Sequence, residues 1–233
     1  MKITKVQTAF VEVPADEPLA NGPAEKGAVR KLIGVKISTD QGLQGISVAF
    51  FGGGVTPALK SAIDSLGSLS VGMDPLAIEP IHAKFREAGS HAGPGGIFTL
   101  ASSAIDIALW DIKGKALNQP VWRLLGGAHP KVPVYATFGF GFFDREQLAA
   151  AAKLWVSQGF RKLKMTVGNE ALRNRDKRPI MDVIKEDAAR FRAVRDAVGP
   201  DIEYVVVPGG PNGAADVPAS GDDEGAAAHR YLL

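Results

Sequence analysis

The sequence predicts an α+β unit followed by the start of a parallel α/β unit. Three observations carry that reading. Alternating, strand-like segments fill the chain up to Phe51, helical periodicity takes over from Thr56 to Asn118, and beyond Val132 strand and helix patterns take turns. Strands followed by helices indicate α+β; regular alternation indicates parallel winding.

The first two strands are "KITKVQTAFVEV" and "VRKLIGVKIST", both alternating. After the turn residues "DQG", "LQGISVAFF" completes a hairpin with the second of them. Between them lies "PADEPLANGPAEKGA", a loop rich in Pro and Gly and long enough to be a lid or binding loop. Thr56–Pro57 and Asp74–Pro75 each read as an N-cap followed by a first helical position. The strongest helix is "IFTLASSAIDIALWDIKGKALN". In it Ile97, Leu100, Ala101, Ala104, Ile105, Ala108 and Leu109 recur at helical spacing, and Trp110 widens the stripe.

In the second unit "VPVYATFGF" is a strand. Asp144 with Gln147 forms a capping box that opens the helix "REQLAAAAKLWVSQ". "RKLKMTV" is the next strand, followed by a polar loop over 168–181, the amphipathic helix "IMDVIKEDAARFRAVRDAV" and the strand "DIEYVVV".

Composition narrows the partners. The chain has 233 residues, 45% hydrophobic and 22% charged, which is ordinary for a globular protein. A net charge of +2 gives no argument for nucleic acid or an anionic membrane. With no cysteine, disulfides and thiolate metal sites are excluded. The start is alternating and acid-containing, unlike a signal peptide, and no apolar run reaches membrane-spanning length. A soluble cytoplasmic protein is expected.

The chemistry concentrates in "GFRKLKMTVG", residues 159–168. On a strand, Lys162, Lys164 and Thr166 share one face while Leu163, Met165 and Val167 share the other. In a β/α barrel the lysine face would look into the barrel, and barrel enzymes place their chemistry near the C-terminal ends of strands. A second ammonium two residues away disfavours protonation of the first, which makes one of the pair a candidate base. The competing reading is an edge strand whose lysines discourage aggregation. Spacing alone does not decide.

Other motifs read as structural. "FFGGGVTPALK" lacks a phosphate-loop signature and reads as a turn, and "HAGPGG" reads as a helix-to-helix loop. His82, His91, His129 and His229 lack metal-ligand spacing and read as surface or satisfied histidines. "RNRDKR", Arg173 to Arg178, reads as a solvated loop, with attraction of a carboxylate as its rival.

Three pieces together resemble the mandelate racemase/muconate lactonizing enzyme family of the enolase superfamily. They are "ASSAIDIALWDIKGKALNQPVWRLLGG" (101–127), "GFRKLKMTVG" with its Lys-x-Lys, and "DAARFRAVRDAVGPDIEYVV" (187–206). The resemblance covers about residues 1–206 and implies an α+β capping domain over a modified β/α barrel. The expected division is a capping domain over 1–127, three barrel strands over 128–207, and a disordered or aberrant tail over 208–233. The long Pro- and Gly-rich loop would close over substrate. The implied reaction is removal of the proton α to a carboxylate, with Mg²⁺ stabilising the enediolate. Lys164 matches the base and Lys162 the partner that tunes and orients it. Racemisation, cycloisomerisation and dehydration of an acid sugar share this step, and the polar loop 168–181 favours the dehydratase. Relatives are often homo-oligomeric.

The sequence also departs from the family. The third barrel strand should end in a metal-binding aspartate, yet "DIEYVV" runs into Val207, Pro208 and Gly209. The tail becomes rich in Gly, Ala and Pro, and Asp216, Asp222 and Asp223 have no strand pattern around them. About 250 residues make a full barrel, and only about 100 follow the cap. The expectation is a coding frame disrupted near residue 207, an incomplete barrel, no metal ligands and an inactive chain. The alternatives are a short offshoot or pseudogene product acting as a non-catalytic interaction module, and an enzyme whose metal ligands come from a partner chain.

Overall fold

The computed structural model describes residues 1–14, 29–50, 53–139, 143–167 and 179–208. The loop after Pro14, the run Arg173–Arg178, and the tail with Asp216, Asp222, Asp223 and His229 lie outside the described residues. Two compact units divide at Val132 and Pro133. No described helix is long and apolar enough to cross a membrane.

The first unit opens with an antiparallel sheet of β1 (Ile3–Pro14), β2 (Val29–Thr39) and β3 (Gln44–Ala49), in that order. The expected hairpin joins β2 to β3. Gly42 supplies φ 81° at its turn, a conformation that favours glycine, and the Thr39 N–H donates to Leu43 O across it at 3.0 Å. Alternation puts Ile33, Val35 and Ile37 on the buried face.

Helices α1 (Thr56–Ser70), α2 (Ile78–Ala88) and α3 (Gly96–Ala116), with the short α4 (Val121–Leu124), follow. The core joins Ile33, Val35 and Ile37 to Leu59, Ile63, Ile81, Phe85, Ile105, Leu109 and Ile112. In α3 the expected stripe is fully buried at Ala101, Ala104, Ile105, Ala108 and Leu109; Ile97, Leu100 and Trp110 pack at its margin.

Both expected N-caps are corrected. Thr56 is the first residue of α1, and its hydroxyl donates back to Gly53 O at 2.7 Å instead of accepting from the helix. Asp74 accepts from the Leu76 N–H at 3.0 Å, which builds a turn, and α2 starts only at Ile78. In both cases a short polar side chain bonds the nearby backbone of a turn, the conformation that competes with capping.

Helix α3 comes unusually close to β3. A Cβ on Gly45 would sit 2.0 Å from the Ala108 carbonyl oxygen and 2.7 Å from Ile112 Cγ1. Beside it the Ser47 hydroxyl donates to Ala104 O at 2.5 Å. Only small residues permit this approach. Along the edge, the Ile46 N–H donates to Asp111 Oδ2 at 2.9 Å and Lys115 Nζ donates to Gln44 O at 2.8 Å. Helix α1 is tied to β1 by Asp64, which accepts from the Thr8 hydroxyl and, at 2.8 Å, from Lys60.

The second unit is a parallel sheet of β4 (Ala136–Phe138), β5 (Lys162–Val167) and β6 (Glu203–Pro208), with α5 (Arg145–Ser157) and α6 (Ile180–Val198) as crossovers. The first strand is only the centre of the expected "VPVYATFGF". The capping box is present: the Gln147 N–H donates to Asp144 Oδ1 at 2.8 Å and the Asp144 N–H to Gln147 Oε1 at 2.9 Å. Leu163, Met165, Leu148, Ala152, Phe191 and Val194 fill the core on the helix side. Tyr204 stacks on Phe191 at 4.7 Å, and burial pushes its phenol well above the usual range against the opposing charges of Arg190 and Arg195. Arg195 donates to Gly199 O and Ile202 O, fastening the end of α6 to the start of β6.

Two outcomes follow from the first unit. Gly45→Ala should lower stability by about 3 kcal/mol or more, because helix and strand backbones would have to separate; chemical denaturation measures it, and an unchanged midpoint would contradict the close approach. Asp64 supplies the second. Burial alone would raise its carboxyl, but hydrogen bonds from Lys60 and Thr8 and the Lys60 charge hold it below the usual range. A depressed pKa in the folded state gives stability that is complete above about 3.9 and disappears as pH falls below it. The melting-temperature gap between wild type and Asp64→Asn should therefore shrink between neutral pH and the acid limb.

Candidate functional site

Sequence alternation placed Lys162, Lys164 and Thr166 on one face of a strand, and β5 has that arrangement. Leu163 and Met165 are fully buried and Val167 is 8% exposed on the helix side, while Lys162, Lys164 and Thr166 are half-buried on the other. The rival reading, an edge strand, is corrected: β5 is the central strand, paired with β4 and β6 on its two sides. Lysines in the middle of a parallel sheet are not an edge device.

Register then assembles the face. Lys164 lies opposite Thr137 on β4 and Val205 on β6, and Lys162 lies opposite Glu203. Thr166 pairs with Val207, where the sequence departs from the family pattern. The described polar face therefore holds Thr137, Lys162, Lys164, Thr166 and Glu203, with Val205 among them.

The two lysines differ in surroundings. Lys162 and Glu203 open their respective strands, at the N-terminal end of the sheet, and form an ion pair at 2.5 Å. Residues at that end of a barrel strand read as stabilising, not catalytic. Both side chains are about half exposed, so the pair is screened and its main effect is to fix the Lys162 ammonium in place. Lys164, further along the strand, sits 5.3 Å from the centre of the Tyr135 ring. An aromatic face attracts a cation without supplying a negative charge.

Sequence reasoning missed Glu203 and Tyr135. Each lies within a segment that the sequence marks as a strand, but only parallel register reveals which strand residues become neighbours. The sequence signal for Glu203 was present, since it alternates with the buried Ile202 and Tyr204.

A Mg²⁺ site fits poorly. Among the described residues no three His, Asp or Glu side chains are grouped to hold a metal ion. On the lysine face the carboxylate is that of Glu203, and it is engaged by Lys162.

The histidine nearest to a catalytic-looking arrangement is His82. Its Nε2 lies 2.8 Å from Asp106 Oδ1 and its Nδ1 3.2 Å from the Ser102 hydroxyl. Ser102 is buried, at 8% exposure, so its hydroxyl has no access to a substrate. The three side chains join α2 to α3, and His82 is a satisfied histidine as the sequence reading had it. A cleft of about 580 Å³ between those helices has His82, Asp106, Trp110 and Lys113 in its walls, away from the two lysines in sequence and in fold unit.

Comparison with known proteins bears on the family and the fold. The family model of the mandelate racemase / muconate lactonizing enzyme N-terminal domain matches residues 6–126. A 3,6-anhydro-alpha-L-galactonate cycloisomerase of Streptomyces coelicolor is 33% identical, over 88% of this chain and 54% of its own length. An N-succinyl-L-Arg/Lys racemase of Bacillus cereus is 32% identical, over 87% of this chain and 50% of its own. Dehydratases of acid sugars also match. Among solved structures, a 3,6-anhydro-D-galactonate cycloisomerase from Zobellia galactanivorans superposes with TM-score 0.71 and 31% identity, covering 88% of this chain and 50% of that one. The chain spans about half the length of the curated relatives it matches. By its cap sheet, the helix α3 laid on it and the matched domain, the chain belongs to the mandelate racemase/muconate lactonizing enzyme family of the enolase superfamily.

Proposed function

We propose that residues 1–208 form the cap and the first three barrel strands of an enzyme that removes the proton α to a carboxylate, with Lys164 taking that proton. The observation that carries this reading is the contrast within the lysine pair. Lys162 is committed to Glu203 at the N-terminal end, whereas Lys164 lies further along the same central strand, beside an aromatic ring. In its neutral form the Lys164 amine accepts the proton, and the C–H electron pair passes to the carboxylate as an enediolate. Lys162, held in place by Glu203, is the neighbouring residue that orients Lys164.

The substrate class we infer is a small hydroxy acid or acid sugar. That inference rests on the names of the matching cycloisomerases and dehydratases. Dehydration of an acid sugar is the narrower reading, supported by several matches to arabinonate and galactonate dehydratases. In a complete site Mg²⁺ would supply charge stabilisation for the enediolate, but the described residues do not form a site for it. Because the described residues offer no carboxylate set to supply that stabilisation, we propose that the chain does not turn over substrate.

Two measurements test these assignments. Lysine side-chain NMR signals followed during addition of a small hydroxy acid should move at Lys164 and not at Lys162. The response should vanish in Lys164→Met and survive in Lys162→Met. A response confined to Lys162 would refute the division of roles. Separately, hydroxy acids and acid sugars incubated with the chain and Mg²⁺ in D₂O should gain no deuterium at the α carbon above a Lys164→Ala control. Metal-dependent exchange above that control would overturn the proposed lack of turnover.

A further inference from the structure

Edge strands expose unpaired N–H and C=O groups, and proteins usually blunt them with charge or proline placed on the strand. The cap sheet has two edges, and they are treated differently. β1 carries Lys5, Glu12 and Pro14 on itself. β3, "QGISVA", has no charged residue and no proline. Its outward side chains are Gln44, Ile46 and Val48, uncharged throughout, with Ile46 60% and Val48 53% exposed.

The missing protection comes from α3. Asp111 Oδ2 accepts the Ile46 N–H at 2.9 Å, Lys115 Nζ donates to Gln44 O at 2.8 Å, and the two side chains pair with each other at 2.7 Å. Gln44 and Ile46 are two apart, so these are successive outward-pointing groups of the same strand edge. The two charges thus occupy the positions an incoming strand would need.

We propose that Asp111 and Lys115 guard the β3 edge, and that their removal opens a pairing surface fitted to β3 of a second copy of this chain. Antiparallel pairing about Ile46 sets Ile46 opposite itself and Gln44 opposite Val48. No like charges meet, so nothing within the strand opposes the pairing. The role is distinct from helix stabilisation by an ordinary i,i+4 ion pair, because it predicts which edge associates when the pair is lost.

The test uses the full chain with Asp111→Ala and Lys115→Ala combined. Because the chain has no cysteine, a nitroxide on Val48→Cys reports this edge alone. The double variant should shift, relative to the parent, to larger species that grow with concentration, and its label should show dipolar broadening absent from the guarded parent. Adding Ile46→Lys, which restores a charge to the edge, should reverse both effects. If the double variant loses helical signal, Lys115→Ala alone frees the Gln44 carbonyl while leaving the Ile46 N–H bonded, and the same comparisons apply. An unchanged size distribution would overturn the proposal. So would association without label broadening, or association that Ile46→Lys fails to relieve.

Discussion

Helix α3 lies almost directly on the backbone of β3, and the first unit is organised around that approach. At Gly45 there is no room for a single carbon, and the Ser47 hydroxyl reaches the Ala104 carbonyl beside it. Ala101, Ala104 and Ala108 present the matching small surface on the helix. Once the two backbones are this close, Ile105, Leu109 and Ile112 reach Ile33, Val35 and Ile37 on the sheet, while α1 closes the remaining side with Leu59 and Ile63. Close packing of this kind tolerates little change in volume.

The second unit is governed by a different constraint, the division of one strand between two environments. Leu163, Met165 and Val167 commit one face of β5 to helices α5 and α6, which leaves Lys162, Lys164 and Thr166 on the opposite face. A parallel sheet is normally covered on both faces. Within this unit the described helices cover one face, and the other carries the polar groups. The fold therefore makes the lysines available by the same alternation that builds the core. Glu203 then separates them by binding Lys162 at the end of the sheet where strands begin.

Charge is used economically in both units. The Asp64 cluster ties β1 to α1, His82 with Asp106 and Ser102 ties α2 to α3, and a two-bond pair between Arg145 and Glu186 ties α5 to α6. Each joins elements that already share an apolar contact. The strength of an exposed pair is modest, so its contribution lies more in fixing the relative placement of two elements.

Periodicity in the sequence by itself determined much of this protein. Both units, the hairpin, the capping box at Asp144 and the buried stripe of α3 were legible, because each depends on residues near one another in the chain. So was the two-faced character of "KLKMTV", since alternation is a property of any strand. Three things were decided only by tertiary structure. Thr56 bonds back to Gly53 and Asp74 accepts from Leu76 just ahead of it, so each joins a turn instead of capping a helix, a choice set by the surrounding chain path. β5 became a central strand, which local spacing could not distinguish from an edge. Lys162 acquired Glu203, more than forty positions away, while Lys164 acquired a ring. Pairing across a parallel sheet is set by register between distant segments, and register is a property of the assembled sheet that no single stretch of sequence contains.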